Sequence, residues 1–288
     1  MRLALLRALF DVQMSLGSAQ NSCERIDASI AAEVQKIADF IARAEVIHAD
    51  ETGWYVRGKL AWMWAALTHE AELFRFDRRR NTDALCRLLG MFDGIVHSDR
   101  WKPYELFSPE FRQLCHAHLR RDIQAIIDRG GKDAKIGERL LDLRNQMFDV
   151  WHRFERGELD AAGLCQYMAP IQAAWKLAAA TAVAAGTVSK TRALGGSMLK
   201  LWPALWNFVE YERVVPTNNE AERSIRRPVK IRKNSFGSTC DRGAEMIAHF
   251  MTVFGTAKRQ DVALLDWLTR RRAAMLAGLP GPPLLLSG

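Results

Sequence analysis

Apolar and polar positions keep a helical period in the first part of the chain and lose it at Glu45. Ile26, Ile30, Val34, Ile37 and Ile41 recur at steps of four, four, three and four, which is one face of a helix, and the spacing predicts a helix over 24–44. Asn21, with Glu24 three residues later, would cap its start. Ahead of it, residues 3–10 and 15–25 read as two short helices broken around 11–14. After Glu45 the texture is that of strands: 46–50, then a hairpin of 54–56 and 60–67 around Arg57-Gly58, then a third antiparallel strand over 72–76. Residues 82–89 form a short helix with Asn81 or Thr82 as cap and Gly90 as terminator. A short, buried strand over 94–98 follows, and 112–116 reads as one more, running into a helix through Leu119, Ile123, Ile126 and Ile127.

From Gly130 to Glu212 the period is helical throughout. Ile136, Leu140, Leu143, Met147, Val150 and Trp151 mark one helix, and Leu164, Met168, Ile171 and Trp175 a second. Leu194, Met198, Leu201, Leu205 and Trp206 mark a third. Two helices over 242–258 and 262–276 close the chain, and the proline-rich tail beyond them is expected to be mobile. Strands and helices in this order imply an α/β sheet covered by helices, with strand ends opening into a crevice.

Two acids stand at strand ends: Asp50 after Val46-Ile47-His48-Ala49, and Asp99 after Gly94-Ile95-Val96-His97-Ser98. A third acidic group lies in Thr217-Asn218-Asn219-Glu220-Ala221-Glu222-Arg223, on a helical turn. It is followed by a basic run, so that Arg223, Arg226, Arg227, Lys230, Arg232 and Lys233 are available to phosphates. Carboxylates suit a hard divalent ion, and cationic side chains suit a polyanion. Two such ions about 3.5–4 Å apart can clamp the attacking and leaving oxygens of an in-line displacement at phosphorus. Charge placement agrees. The net charge is +8, and from Val215 onward 12 Lys/Arg stand against 6 Asp/Glu, while the rest is nearly balanced at 29 against 27. The basic surplus thus belongs to the segment carrying the glutamate motif, and points to a polyanion partner.

Other features exclude classes. Five scattered cysteines with no Cys-x-x-Cys pair support neither a disulfide framework nor a zinc ribbon, and a reducing cytoplasm is the expected location. Arg2 and Arg7 interrupt the apolar start, which does not read as a signal peptide, and no run of about 18 apolar residues suggests a membrane span. Cys115, His116 and His118 are crowded at a strand–helix junction without a distant fourth ligand, and are expected to be structural. His48 and His97, each two residues before an acid, read as core or supporting groups. Trp54 and Trp101 flank the acidic motifs and could stack on a displaced base.

Several of these motifs, in this order, resemble the transposases of the insertion sequence 66 family. They are His48-Ala49-Asp50-Glu51-Thr52-Gly53-Trp54, Ser98-Asp99-Arg100, Cys115-His116-Ala117-His118-Leu119-Arg120-Arg121-Asp122, Leu201-Trp202-Pro203-Ala204-Leu205-Trp206, Thr217 to Arg223 and Arg232-Lys233-Asn234-Ser235-Phe236-Gly237. The resemblance covers residues 3–277 and implies an RNase-H-like core doing metal-dependent cleavage and strand transfer on DNA. By that likeness Asp50, Asp99 and Glu222 (rather than Glu220) hold two Mg2+ or Mn2+ ions. Glu51, His118, Asn218 and Asn219 are expected to support them; Asn218 and Asn219 precede Glu222 by four and three residues and share its helix face. The partners implied are transposon-end and target DNA, further copies of the chain on that DNA, and accessory proteins of the same element, with no membrane. The location implied is the bacterial cytoplasm, on the nucleoid.

The resemblance divides the chain into a helical N-terminal segment (1–44), a core in two parts (45–129 and 215–277), an all-helical insertion between them (130–214) and the tail (278–288). The family's pattern has an aromatic residue where this chain has His116. Full-length members carry a long zinc-binding and helix-turn-helix region before this point, and 3–25 resembles its last two helices. A non-catalytic DNA-binding or regulatory remnant is therefore the alternative expectation.

Overall fold

The structure is a computed structural model that describes residues 7, 8 and 11–285. It begins with helix α1 (Leu16–Ala42), started by Ser15, whose hydroxyl accepts the Ser18 N–H at 3.0 Å. The break expected near Asn21 is absent, because the Ser15 cap lets one helix run through it. Ile30, Val34, Ile37 and Ile41 are buried as expected, whereas Ile26 is exposed. The helix expected over 3–10 lies outside the described residues except at 7 and 8.

Strand β1 (Val46–Val56) is longer than the apolar run predicts; the polar Glu51-Thr52-Gly53 stretch continues the ladder instead of ending it. It turns at Arg57 and Gly58, with φ of 51° and 73°, into β2 (Lys59–Leu67). Left-handed backbone at both central residues is the hairpin geometry that matches strand twist. Strand β3 (Glu72–Asp77) pairs antiparallel with β2. Helix α2 (Thr82–Leu89) is capped by Asn81, which accepts the Ala84 N–H at 3.1 Å, and ends at Gly90.

Strand β4 (Ile95–Ser98) and strand β5 (Arg112–Leu114) follow. Next come α3 (His116–Arg129), α4 (Ala134–Glu155), α5 (Ala161–Ala185), α6 (Ser189–Lys200) and α7 (Trp202–Glu210). The expected third helix over 194–206 is divided between α6 and α7, since Pro203 sits in the first turn of α7, where its missing N–H costs nothing. Helices α8 (Asn219–Ser235), α9 (Asp241–Arg259) and α10 (Leu264–Leu276) complete the chain. The strands form one mixed α/β sheet in the order β3-β2-β1-β4-β5, in keeping with the RNase-H-like expectation.

The chain divides into two compact units, 1–44 with 51–92 and 224–288, and 45–50 with 93–223. In the first, Glu72 is buried and gathers its cations: its carboxylate accepts from Ser224 at 2.9 Å and Arg259 at 2.9 Å, and meets Arg227. Gly255 makes room for this group, since a Cβ there would fall 2.2 Å from the Glu72 carboxylate. The described part of the tail makes contacts within this unit. Trp267 Nε1 donates to the Pro282 carbonyl at 3.1 Å, and the buried Leu284 donates its N–H to Glu33 at 2.7 Å, so burial of one leucine and two acceptors anchors it.

In the second unit, β4 and β5 lead into a helical core built around Leu140, Met147, Met168, Trp175, Met198 and Trp206. Burying each such side chain contributes about 1.5–3 kcal/mol. His116, in the place of an aromatic residue, behaves as one. Its ring is fully buried and meets Trp175, Phe208, Trp206 and Phe148 at centroid distances of 5.6–6.4 Å. Its Nε2 donates to the Leu205 carbonyl at 2.9 Å, and burial pushes its pKa down to about 4.

Candidate active site

Strands β1 and β4 are parallel, in a register that sets His48 beside His97. Asp50 and Asp99 each follow two residues later; Asp99 leaves the carboxyl end of β4, whereas Asp50, expected at a strand end, lies inside β1, which runs on to Val56. In open α/β sheets the carboxyl edge is where ligands bind. The two histidine rings below them stack at 4.0 Å and 6°. His97 is fully buried and its pKa is held well below the ordinary value, first by burial and then by the neighbouring His48. Both rings therefore serve as packing and hydrogen-bonding groups, as expected.

Asp99 is fixed by its surroundings. Its Oδ1 accepts the Trp101 N–H at 2.8 Å, and its carbonyl accepts from Arg112 at 2.6 Å. Arg112 is fully buried, donates also to Ser98 Oγ at 2.9 Å, and has its pKa lowered to about 10 by burial. Its positioning role was missed in the sequence, where an arginine opening a short strand carried no such signal.

The third acid arrives through Asn218. Its side-chain amide donates to the Ala49 carbonyl at 2.8 Å, its Oδ1 accepts from His48 Nδ1 at 3.0 Å, and its backbone N–H points at Cys115 Sγ at 3.1 Å. These bonds pin the start of α8 to β1 at Ala49, one residue before Asp50. Asn219, by contrast, is exposed. Glu222 Oε1 lies 3.2 Å from Arg121 and 3.5 Å from His118 Nδ1. Among the described residues, the donors that gather within 4.8 Å of one another are those of Cys115, His118 and Glu222; Asp50 and Asp99 are not in that group. Glu220 pairs with Arg223 at the surface. Glu51 is buried against Arg80 at 2.6 Å.

Within α8 the basic residues separate into two sets. Arg226, Lys230 and Lys233 are exposed at steps of four and three, one helical stripe. Arg227 is bound to Glu72 and lies over Phe254, and Arg232 donates to the Gly53 carbonyl, so these two brace the fold instead of facing solvent. Arg223 is exposed. Sequence alone could not divide the run, because the partners lie about 150 residues or more away.

With this geometry in place, comparison with known proteins is specific. The family model described as Transposase IS66 family matches residues 2–246, and the chain belongs to that family. The uncharacterized protein y4qI of Sinorhizobium fredii (strain NBRC 101917 / NGR234) is 27% identical, over 86% of this chain and 52% of that relative. The chain spans about half the length of that curated relative. Among the described residues no helix is long and apolar enough to cross a membrane.

Proposed function

We propose that this chain is a transposase catalytic region that cleaves DNA and joins the freed 3′-OH to target DNA, using Asp50, Asp99 and Glu222 as the acid set for two Mg2+ or Mn2+ ions. The observation that carries the reading is the pair of aspartates that each stand two residues past the paired His48 and His97, with Asn218 tying the helix of Glu222 to β1 at Ala49. The donor chemistry fits: carboxylate oxygens suit hard divalent ions, and the Trp101 N–H orients the Asp99 carboxylate through its Oδ1 alone. Such ions, when bound, activate the attacking oxygen and stabilise the leaving one. The residues do the rest. Arg112 holds the Asp99 backbone in place, Asn218 positions α8, and Glu222 turns from Arg121 toward the aspartates. Arg223, Arg226, Lys230 and Lys233 take DNA phosphates, while Arg227 and Arg232 act by bracing. DNA ends, target DNA and further copies of the chain are the partners of this reading.

The test joins a pre-cut transposon end bearing a free 3′-OH to a plasmid in Mg2+ or Mn2+. Asp50→Asn keeps the side-chain shape and removes the charge, so joining should vanish while DNA binding persists. Equal joining by both proteins would sink the metal mechanism. No joining by either, with DNA binding intact, would favour a non-catalytic remnant; the placement of Glu222 against Arg121 is the observation on that side.

A further inference from the structure

The Cys115–His118–Glu222 group is a donor set of a different kind from the two aspartates. Cys115 follows β5 and stands at the N-cap position of α3, and His118 comes three residues later on the same turn, so a thiol and an imidazole share one helix face. Glu222 comes to them from α8, across more than a hundred positions of sequence. The His118 Nδ1 atom is buried and makes no hydrogen bond; the nearest acid oxygen, Glu222 Oε1, is at 3.5 Å. The sulfur accepts the backbone N–H of Asn218 at 3.1 Å; burial pushes its thiol pKa up, and the N–H groups of Asn218, His118 and Ala117 act against that rise.

We propose that Cys115, His118 and Glu222 form a binding site for a thiophilic divalent ion of the Zn2+ class, and that its occupation withholds Glu222 from the two aspartates. The second half rests on the reading of Glu222 as the third acid; the first does not. Geometry supports the ion. Tetrahedral Zn2+ with Zn–S about 2.3 Å and Zn–N or Zn–O about 2.0–2.1 Å needs ligand atoms roughly 3.3–3.6 Å apart. His118 Nδ1 and Glu222 Oε1 are 3.5 Å apart, and all three donors lie within 4.8 Å of one another. Small side-chain movements complete the set, and water fills the fourth position. Chemistry separates this site from the two aspartates. A thiolate and an imidazole select borderline-soft ions, whereas the aspartates offer only hard oxygens. Binding forms a metal–sulfur bond and releases the thiol proton to water. The exposed Arg121 side chain then needs only to shift to the other Glu222 oxygen.

The experiment uses the full chain with Co2+ as the probe, since a cobalt–thiolate bond gives charge-transfer absorption and a tetrahedral ion gives intense visible bands. The wild type should develop both at one equivalent, and Zn2+ should bleach them. Cys115→Ser should abolish the charge-transfer absorption, and His118→Gln should weaken cobalt binding about tenfold or more; far-ultraviolet circular dichroism verifies that each variant is folded. Asp50→Asn should bind cobalt like the wild type. Absence of the absorption in folded wild type overturns the proposal, as does its survival in Cys115→Ser, which would assign it to another cysteine. Zn2+ added to Mg2+-supported joining should lower the rate by about tenfold in the wild type, and the ratio of rates with and without Zn2+ should approach one in Cys115→Ser. Cobalt binding through Cys115 without any Zn2+ effect on joining refutes the withholding of Glu222. Cobalt binding in a protein that never joins DNA leaves the ion site standing and fails the catalytic reading instead.

Discussion

Asn218→Ala removes a side chain that bonds both the Ala49 carbonyl of β1 and the ring of His48. In the native protein its amide gives one hydrogen bond to Ala49 O at 2.8 Å and takes one from His48 Nδ1 at 3.0 Å, with the side chain 1% exposed. Alanine leaves both partners buried without that bond, and each such loss costs roughly 1–3 kcal/mol. A total near 3 kcal/mol corresponds to a fall of about 6–12 °C in melting temperature at about 2–4 °C per kcal/mol. Asn218→Asp keeps the acceptor for His48 but sets an oxygen against the Ala49 carbonyl, so it should be destabilised as well. The assay is thermal melting by circular dichroism, with the joining reaction run well below both midpoints. Joining should fall by more than tenfold while DNA binding stays within about twofold, because the phosphate-facing cations are elsewhere on α8. Asn219→Ala, at the exposed neighbour, should move stability by no more than about 0.5 kcal/mol. A melting shift under about 2 °C together with unchanged joining in Asn218→Ala would refute the claim that this residue sets the position of α8.

Two further outcomes follow from buried charge and its absence. His116 stays neutral in the folded protein down to about pH 4, while an unfolded histidine takes up a proton near 6.5, so the unfolded state binds more protons between those values. Stability is thus full above about 6.5 and falls as pH drops toward 4, by about 3 kcal/mol from this residue; His97 acts in the same direction. Urea midpoints measured across this window should show the loss, and His116→Phe should flatten it at the cost of the Leu205 bond, about 1 kcal/mol. Glu72→Ala leaves Arg227 and Arg259 beside each other without their buried carboxylate, and should destabilise by about 3–5 kcal/mol in a urea titration. A change below 1 kcal/mol would mean that water or another acid takes over.

Which of these features could be read from the chain depends on whether local pattern or distant contact decides them. The cap at Asn81, the hairpin at Arg57-Gly58 and the strand that ends just before Asp99 are local, and the sequence shows them. The unbroken α1 was misread because Asn21 and Glu24 imitate a capping box inside a helix that Ser15 had already started. The continuation of β1 through Glu51-Thr52-Gly53 was missed because pairing, not side-chain hydrophobicity, keeps polar residues in a ladder. Arg227 and Arg232 look no different from Arg226 and Lys230 in sequence; only Glu72 and the Gly53 carbonyl distinguish them. Cys115 and His118 were readable as a pair from their three-residue spacing, but the approach of Glu222 was not.

The division of the chain has a consequence for how the protein is born. The unit holding residues 45–50 and 93–223 closes over segment 51–92, a loop of about forty residues whose ends cost about 3 kcal/mol to bring together. On a ribosome, both aspartates emerge long before position 222, and domains settle as their residues appear. If the acid set is the one proposed, a nascent chain carries two of its three carboxylates while 123 further positions (222 − 99) are added, and only then gains the last. A product truncated before position 222 would then lack one acid of the set, and a single proteolytic cut anywhere between 50 and 222 would divide it.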